Sequence, residues 1–182
     1  LFNETKEALE RQTASAGILR VISGSPTSVQ PVFDSILQHA TRLCEAQLGF
    51  VFTSDGKAYD PVAQHGLEAE SYAAWRAAFA VHRIPGSLSG LGRLLRGESS
   101  VHIADVADEE AYRARDPLRV LTVELIGART FLAVPLVKES AVIGAVVMYR
   151  REVRPFADKQ LELLQSFADQ AVIAMENVRV FN

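Results

Sequence analysis

The chain has 182 residues, 48% of them hydrophobic and 23% charged, with a net charge of −3. This is the composition of one soluble globular domain, able to bury about two-thirds of its unfolded surface without disulfides or metal. It gives no reason to expect nucleic acid, because basic residues gather no further than pairs such as Arg150-Arg151. Apolar runs stop at about nine residues, well short of the roughly twenty that a membrane span requires. The single Cys44 leaves no disulfide within the chain and fits a reducing compartment. The opening residues carry no secretory-signal pattern, so a cytoplasmic location is expected.

Residues 1–22 contain no proline and are dominated by good helix formers, predicting a first helix. Phe2, Thr5, Leu9, Ala16 and Leu19 keep three-four spacing, interrupted at Gln12, which makes a narrow seam. Ser23-Gly24-Ser25-Pro26 ends it. A second helix is expected from Ser28, with the Ser28 hydroxyl as cap and Pro31 in the first turn. Its inward positions are Val29, Phe33, Ile36, Ala40 and Leu43, while Gln38, His39, Thr41 and Arg42 are expected to face water.

The sheet starts after Gln47. Leu48 to Thr53, the turn Ser54-Asp55-Gly56-Lys57, and Tyr59 to His65 read as a hairpin. Leu67 to Ala80 is expected to be helical, with Tyr72, Trp75 and Phe79 on one side. Pro85 to Gly92 is a loop in which Ser89 can cap a short helix running through Arg93 to Arg96. Val101 to Ala104 is a short strand ending at Asp105. Asp108 is expected to cap the next short helix, with Glu109 and Glu110 at its positive end. Pro117 to Ile126 suggests one more helix.

Two apolar runs follow, Arg129 to Val137 and Ala141 to Tyr149, flanking the polar tip Lys138-Glu139-Ser140. Runs this short and this rich in β-branched residues are strands covered on both faces, and the tip makes them an antiparallel hairpin. From Asp158 to Phe181 there is neither glycine nor proline, which gives a helix about 36 Å long at about 1.5 Å per residue. Leu161, Leu164, Ala168, Ala171, Met175 and Val178 form one apolar stripe. Leu163, Phe167, Ala174 and Phe181 form another. One stripe is expected to pack on the sheet and the other to face a partner helix. Strands joined mostly as hairpins, between helices, define an α+β class with a largely antiparallel sheet.

The order of these elements resembles the GAF domain of large bacterial sensor proteins, often hybrid histidine kinases or cyclases. The resemblance spans about residues 28–174. It is carried by Val101-His102-Ile103-Ala104-Asp105-Val106, Phe131 to Leu136, Ile143-Gly144-Ala145-Val146 and Ser166-Phe167-Ala168-Asp169-Gln170-Ala171. It implies a six-stranded sheet with a small-molecule pocket on one face and a helical, dimerising layer on the other. The expected organisation is a signalling helix at 1–24, a GAF core at 25–160 and a helix at 161–182 continuing into a linker. The ends Leu1-Phe2-Asn3 and Val180-Phe181-Asn182 echo one another, as in a unit cut from a tandem array.

Within that frame, catalysis is not expected. Cys44 sits on the last turn of an amphipathic helix and reads as a core thiol. The family's methionine sulfoxide reductases need several cysteines. Its bilin-binding members attach chromophore through a cysteine in the helical insert, and residues 66–127 contain none. The scattered Asn-Lys-Phe-Asp-Glu signature of cyclic-nucleotide members has no counterpart here. His39, His65, His82 and His102 form no metal-spaced pair, although His82 follows an aromatic helix and is the candidate for a haem or redox alternative. Gly86, Gly90 and Gly92 complete no phosphate-loop pattern.

The expected pocket lining is Phe52, Trp75, Phe79, Ser89, Leu91, Arg93, Asp105, Phe131 and Tyr149. Aromatics would supply contact area, and Ser89, Arg93 and Asp105 orientation, with Ser87, Ser89 and Arg93 meeting an anionic or polar ligand. The expected homodimer interface uses Phe2, Leu9, Ala171, Met175 and Val178. The expected function is small-molecule sensing and dimerisation, passed through the terminal helices to an output domain such as a histidine kinase. The alternative is a ligand-free spacer. The ligand and any cofactor are left unnamed.

Overall fold

The structure, a computed structural model, describes residue 6, residues 8–14 and residues 28–181, the side chains of residues 179–181 excepted. Helix α1 spans Gln30–Leu43 and leads into the hairpin β1 (Leu48–Ser54) and β2 (Tyr59–His65). Helices α2 (Ala69–Ala80) and α3 (Gly90–Leu95) precede the short strand β3 (Val101–Ile103). Two single-turn helices follow, α4 (Glu110–Arg113) and α5 (Pro117–Val120), the second running into a π-turn at Leu121–Leu125. The hairpin β4 (Thr130–Lys138) and β5 (Ala141–Arg150) and the long helix α6 (Asp158–Phe181) complete the chain.

All strand pairs are antiparallel, in the order β2-β1-β5-β4-β3. The sheet therefore has five strands among the described residues, not six. Five is also the number the residues themselves suggest; the sixth came from the resemblance alone. The β4–β5 hairpin turns on Glu139 and Ser140, both at positive φ (51° and 67°), with Lys138 opposite Ala141. That is the backbone of a two-residue hairpin turn matched to strand twist. Gly144 marks a close approach of β5 to β1: a Cβ there would lie 2.2 Å from the Phe52 carbonyl oxygen.

Alternation along the strands divides the core in two. Val51, Leu132, Val134, Leu136, Val146 and Met148 point to the face covered by α1 and α6. Phe50, Phe52, Phe131, Ala133, Val147 and Tyr149 point to the face covered by α2, α3 and the α4–α5 segment. Tied across one edge is Arg150, 1% exposed. Its guanidinium donates to the carbonyls of Cys44, Glu45, Arg154 and Pro155 and stacks 4.0 Å from the centroid of Phe156. It joins the end of α1 and the approach to α6 to the last residue of β5.

Several local expectations need correcting. The Ser28 hydroxyl accepts from the Gln30 N–H, but Val29 occupies the cap position of α1. Thr41 does not face water: it is 3% exposed, and its hydroxyl donates to the Leu37 carbonyl, four residues back in its own helix. Asp108 caps nothing; Glu109 stands at the cap of α4 without a side-chain bond. The helix expected from Pro117 to Ile126 is present, but only Pro117–Val120 is α-helical and Leu121–Leu125 is wound as a π-turn ending at Ile126. Helix α6 buries members of both stripes, with Leu163, Leu164, Phe167, Ala168, Ala171 and Ala174 all at 8% exposure or less, while Leu161, Met175 and Val178 are half-buried. Both stripes therefore contribute to the domain's own core, and Asp158, Lys159, Glu162 and Asp169 face outward. Residues 8–14 are helical, with Leu9 exposed and Ala14 buried in the α1–α6 cluster. Phe2 and most of the first helix's expected seam lie outside the described residues, as does the echo between the two ends.

Candidate functional site

Between the sheet and its α2–α5 cover, seven of the nine expected lining residues meet around one cavity: Phe52, Trp75, Phe79, Ser89, Leu91, Phe131 and Tyr149. The sheet contributes Phe52 from β1, Phe131 from β4 and Tyr149 from β5, each on the face pointing away from α6. Helix α2 turns Trp75 and Phe79 inward four residues apart, on one face. The rings pack closely, with Phe50–Trp75 centroids at 4.6 Å, Trp75–Phe79 at 5.0 Å, and Phe52–Phe79 and Phe131–Tyr149 both at 5.3 Å. What they leave is a cavity of about 30 Å³, room for a few small atoms.

Ser89 is the helix cap that its sequence position suggests: its hydroxyl accepts from the Gly92 N–H at 3.0 Å and donates to the Gly86 carbonyl. Leu91 offers its carbonyl to the Tyr59 hydroxyl at 3.0 Å, fixing α3 to β2. Gly90 allows that fit, since a Cβ there would meet the Phe131 ring at 2.5 Å.

Arg93 and Asp105 are not part of the cavity. Arg93 forms a bidentate pair with Glu98 at 2.7 and 2.9 Å, and Asp105 pairs with Arg129 at 2.9 and 2.7 Å. The Arg129 hydrogen bonds hold the Asp105 carboxyl below the ordinary carboxylate range, with the Ala107 N–H adding to them. Both pairs are structural clasps, and neither charge is free to orient a ligand.

The charge in the cavity is Arg119, which the sequence reading missed. Only 4% exposed, it lines the cavity with Leu118, Leu121 and Thr122 of the α5–π-turn segment. Its position is set by Asp116, whose carboxylate caps α5 by accepting from the Arg119 N–H at 3.1 Å. Nη1 of Arg119 donates to the Val106 carbonyl at 3.1 Å and to Glu109 at 2.9 Å. Burial pushes the Tyr149 hydroxyl up to about 12, while a hydrogen bond with Thr122 and the Arg119 charge pull it partly back. At neutral pH the cavity thus presents a phenol, two hydroxyls and a guanidinium against an aromatic wall. One signal pointed to Arg119: Asp116-Pro117 starts a helical turn, and its first basic residue faces back toward the sheet.

The other candidate groups lie elsewhere. Cys44 is fully buried on the α1–α6 face, and burial pushes its thiol up to about 12 against the opposing pull of Arg150. His82 follows the end of α2, its N–H bonded to the Phe79 carbonyl, and does not line the cavity. Among the described residues no three His, Cys, Asp or Glu side chains gather in a metal-binding group. No helix among them is long and apolar enough to cross a membrane. Of the expected interface residues, Leu9 is 63% exposed, Met175 and Val178 are half-buried, and Ala171 is fully buried against its own sheet. Ala171 is therefore withdrawn from any partner surface.

An antiparallel sheet with a helical layer on one face and an aromatic cavity under short helices on the other defines an α+β domain of the GAF type. The chain belongs to the GAF domain family, which it matches over residues 26–176. GAF domains are in general signalling, sensing and regulatory modules. No match was found among curated proteins. Among solved structures, the GAF domain of a phosphoenolpyruvate-protein phosphotransferase from Coxiella burnetii is similar at 17% identity and a TM-score of 0.71, covering 96% of this chain and 97% of that one. A free methionine-R-sulfoxide reductase from Neisseria meningitidis, in complex with its substrate, is similar at 16% identity and a TM-score of 0.72, covering 97% and 94%. A domain assigned to a two-component sensor histidine kinase of Sinorhizobium meliloti is similar at 18% identity and a TM-score of 0.64, covering 84% and 93%. At these identities the likeness is one of fold.

Proposed function

We propose that this chain is a small-molecule-sensing and dimerising module of a cytoplasmic signalling protein, with the core at residues 25–160 and helical flanks that join it to an output domain. The observation that carries the sensing role is Arg119, a cation 4% exposed in an aromatic cavity where Tyr149 and Thr122 add polar groups. A guanidinium is taken out of water where its hydrogen bonds serve a purpose, and a cleft with a few convergent polar groups is the usual form of a ligand site. The family's regulatory character supports the signalling role. The histidine-kinase assignment of the Sinorhizobium meliloti relative is one precedent for the output. Dimerisation would use the end of α6 at Met175 and Val178, with Leu9 and Phe2 of the first helix. Sulfur redox of the kind named for the Neisseria meningitidis relative is not part of the reading, because Cys44 lies on the opposite side of the sheet with its thiol pushed up to about 12.

A second reading, a ligand-free spacer, is favoured by the cavity's size of about 30 Å³. Native mass spectrometry of the purified chain, set against its denatured mass, separates the two. A dimer carrying extra small-molecule mass supports sensing. A dimer that stays at its polypeptide mass, and whose melting temperature responds to no small molecule, leaves the spacer. A monomer at high micromolar concentration removes the dimer from both.

A further inference from the structure

Among the described residues seven arginines hold carboxylates; four of them, Arg83, Arg93, Arg119 and Arg129, lie on or near the cavity side, and three of these four do it in the same way. Arg83 presents Nε and Nη2 to Asp60 at 2.7 and 2.8 Å, Arg93 presents them to Glu98, and Arg129 to Asp105. This edge of the guanidinium is a planar two-donor fork that matches the two oxygens of a carboxylate. Arg119 differs. Both of its protein bonds come from Nη1, and among the described residues no acceptor meets Nε or Nη2. Yet it is by far the most buried of the four, its side chain 4% exposed against 29–45% for the others. Its counter-ion Glu109, 36% exposed, leans toward solvent, so the cavity side of the charge is the less compensated.

Resting on the reading of the cavity as a ligand site, we propose that its ligand class is a small monocarboxylate, gripped bidentately by the Nε–Nη2 edge of Arg119. Tyr149 and Thr122 flank that position with hydroxyls, and Phe52, Phe79 and Phe131 form the apolar wall for the rest of the molecule. The space of about 30 Å³ fits a carboxylate bearing one or two further heavy atoms. A bulkier acid would require Phe131 or the π-turn to move. A tetrahedral dianion matches the planar fork less well than a carboxylate and brings more charge to be desolvated.

The test is a titration of the intact chain with sodium acetate and sodium propionate, with sodium chloride and sodium phosphate as controls at matched ionic strength. It is followed by the arginine Nε–H resonances and by melting temperature. Acetate or propionate is expected to shift one arginine Nε–H resonance saturably and to raise the melting temperature, while chloride and phosphate do neither. Arg119→Lys, which keeps the charge and loses the fork, should weaken binding at least tenfold, and Arg93→Ala should leave it unchanged. The native chain decides the matter even where Arg119→Lys fails to fold, because the Nε–H shift needs no variant. Equal responses to chloride or phosphate, an unmoved set of Nε–H resonances, or undiminished binding by a folded Arg119→Lys chain would overturn the carboxylate assignment. Co-purification of an uncharged molecule that raises the melting temperature would overturn it while leaving sensing intact. A chain that binds nothing removes both readings.

Discussion

Arg150 illustrates how one side chain organises this fold. It terminates β5, is 1% exposed, and satisfies the carbonyls of Cys44, Glu45, Arg154 and Pro155, which the turns around it leave without helix or sheet partners. Removing the guanidinium would strand the Arg154 and Pro155 carbonyls and leave those of Cys44 and Glu45 with only the 3.4 Å contacts from Gln160 Nε2 and Arg154 Nη2, each lost bond costing about 1 kcal/mol or more when buried. Arg150→Ala is therefore expected to lower the unfolding free energy by about 3–5 kcal/mol, measured as a fall in the urea midpoint. Arg83→Ala, which breaks a surface pair, should leave the midpoint nearly unchanged. Cys44 yields a second expectation at this scale. With its thiol buried and pushed up to about 12, it should not react with a thiol-specific disulfide reagent in the folded chain and should react fully in urea. Rapid labelling of the native protein would contradict that burial. In the sequence, Arg150 was only half of an arginine pair at a strand end. Its role depends in part on the carbonyls of Cys44 and Glu45, more than a hundred residues away in the chain, which no local pattern encodes.

At the scale of elements, two contrasts follow. The N–H of Phe156, just before α6, donates to Nε2 of His102 on the edge strand β3 at 3.0 Å, so that nitrogen must be unprotonated. Burial first, and then the Arg150 charge, hold the His102 pKa below its ordinary value, with Asp158 pulling the other way. A folded pKa below the unfolded one means that the contribution is complete above about pH 6.5 and is lost as pH falls through the folded value. The urea midpoint should accordingly drop between pH 7.5 and pH 5, and His102→Gln, whose amide oxygen can still accept, should flatten that drop. Some slope would remain from His39, whose pKa is likewise lowered by burial and by Arg42. An identical pH profile in the variant would sever β3 from the start of α6 as a titrating contact.

Helix α6 supplies the second contrast. Its stripes were legible in the sequence, but the division of labour between them was not. Helical spacing says which residues share a face, and only the thickness of the sheet and α1 says how wide a face is covered. Ala171, fully buried, and Val178, half-buried one turn or two further on, sit on the same stripe and have different environments. Ala171→Glu should therefore unfold or strongly destabilise the chain by burying an unpaired carboxylate. Val178→Glu should keep the native circular dichroism and melting temperature and, under the proposed dimerisation through the end of α6, convert the dimer to a monomer in light scattering. If Ala171→Glu folds normally, the placement of α6 on the sheet is wrong.

Across the whole molecule, the sheet is one residue layer thick between two cores, and this gives sensing a physical route. Phe131 and Ala133 lie on the cavity side of β4, Phe131 lining the cavity itself, while their neighbours Leu132 and Val134 pack in the cluster that α6 covers. On β5, Tyr149 and Val147 alternate with Met148 and Val146 in the same way. This two-faced arrangement was readable in advance, because continuous apolar strands must be covered on both sides. The cavity's aromatic wall was readable for a related reason, large rings at strand and helix spacing. Its charged member was not. Arg93 stood beside a loop glycine and Asp105 at a strand end, and both looked free, but Arg93 has a partner five residues away and Asp105 one twenty-four residues away. Arg119 looked like an ordinary surface arginine until the turn at Asp116 carried it inward. Because interiors are close-packed, a ligand that displaces Phe131 or Tyr149 must also shift the strands that carry Leu132 and Met148, and with them the seat of Leu164 and Phe167. Hydrogen exchange on the intact chain with saturating acetate should then show slowed amides in β4 and in α6 from about Leu163 to Ala174, on the far side of the sheet. Protection confined to α3, α5 and the π-turn would mean that the probe is bound without reaching the helix that leaves the domain, and the proposed route through the sheet would fail.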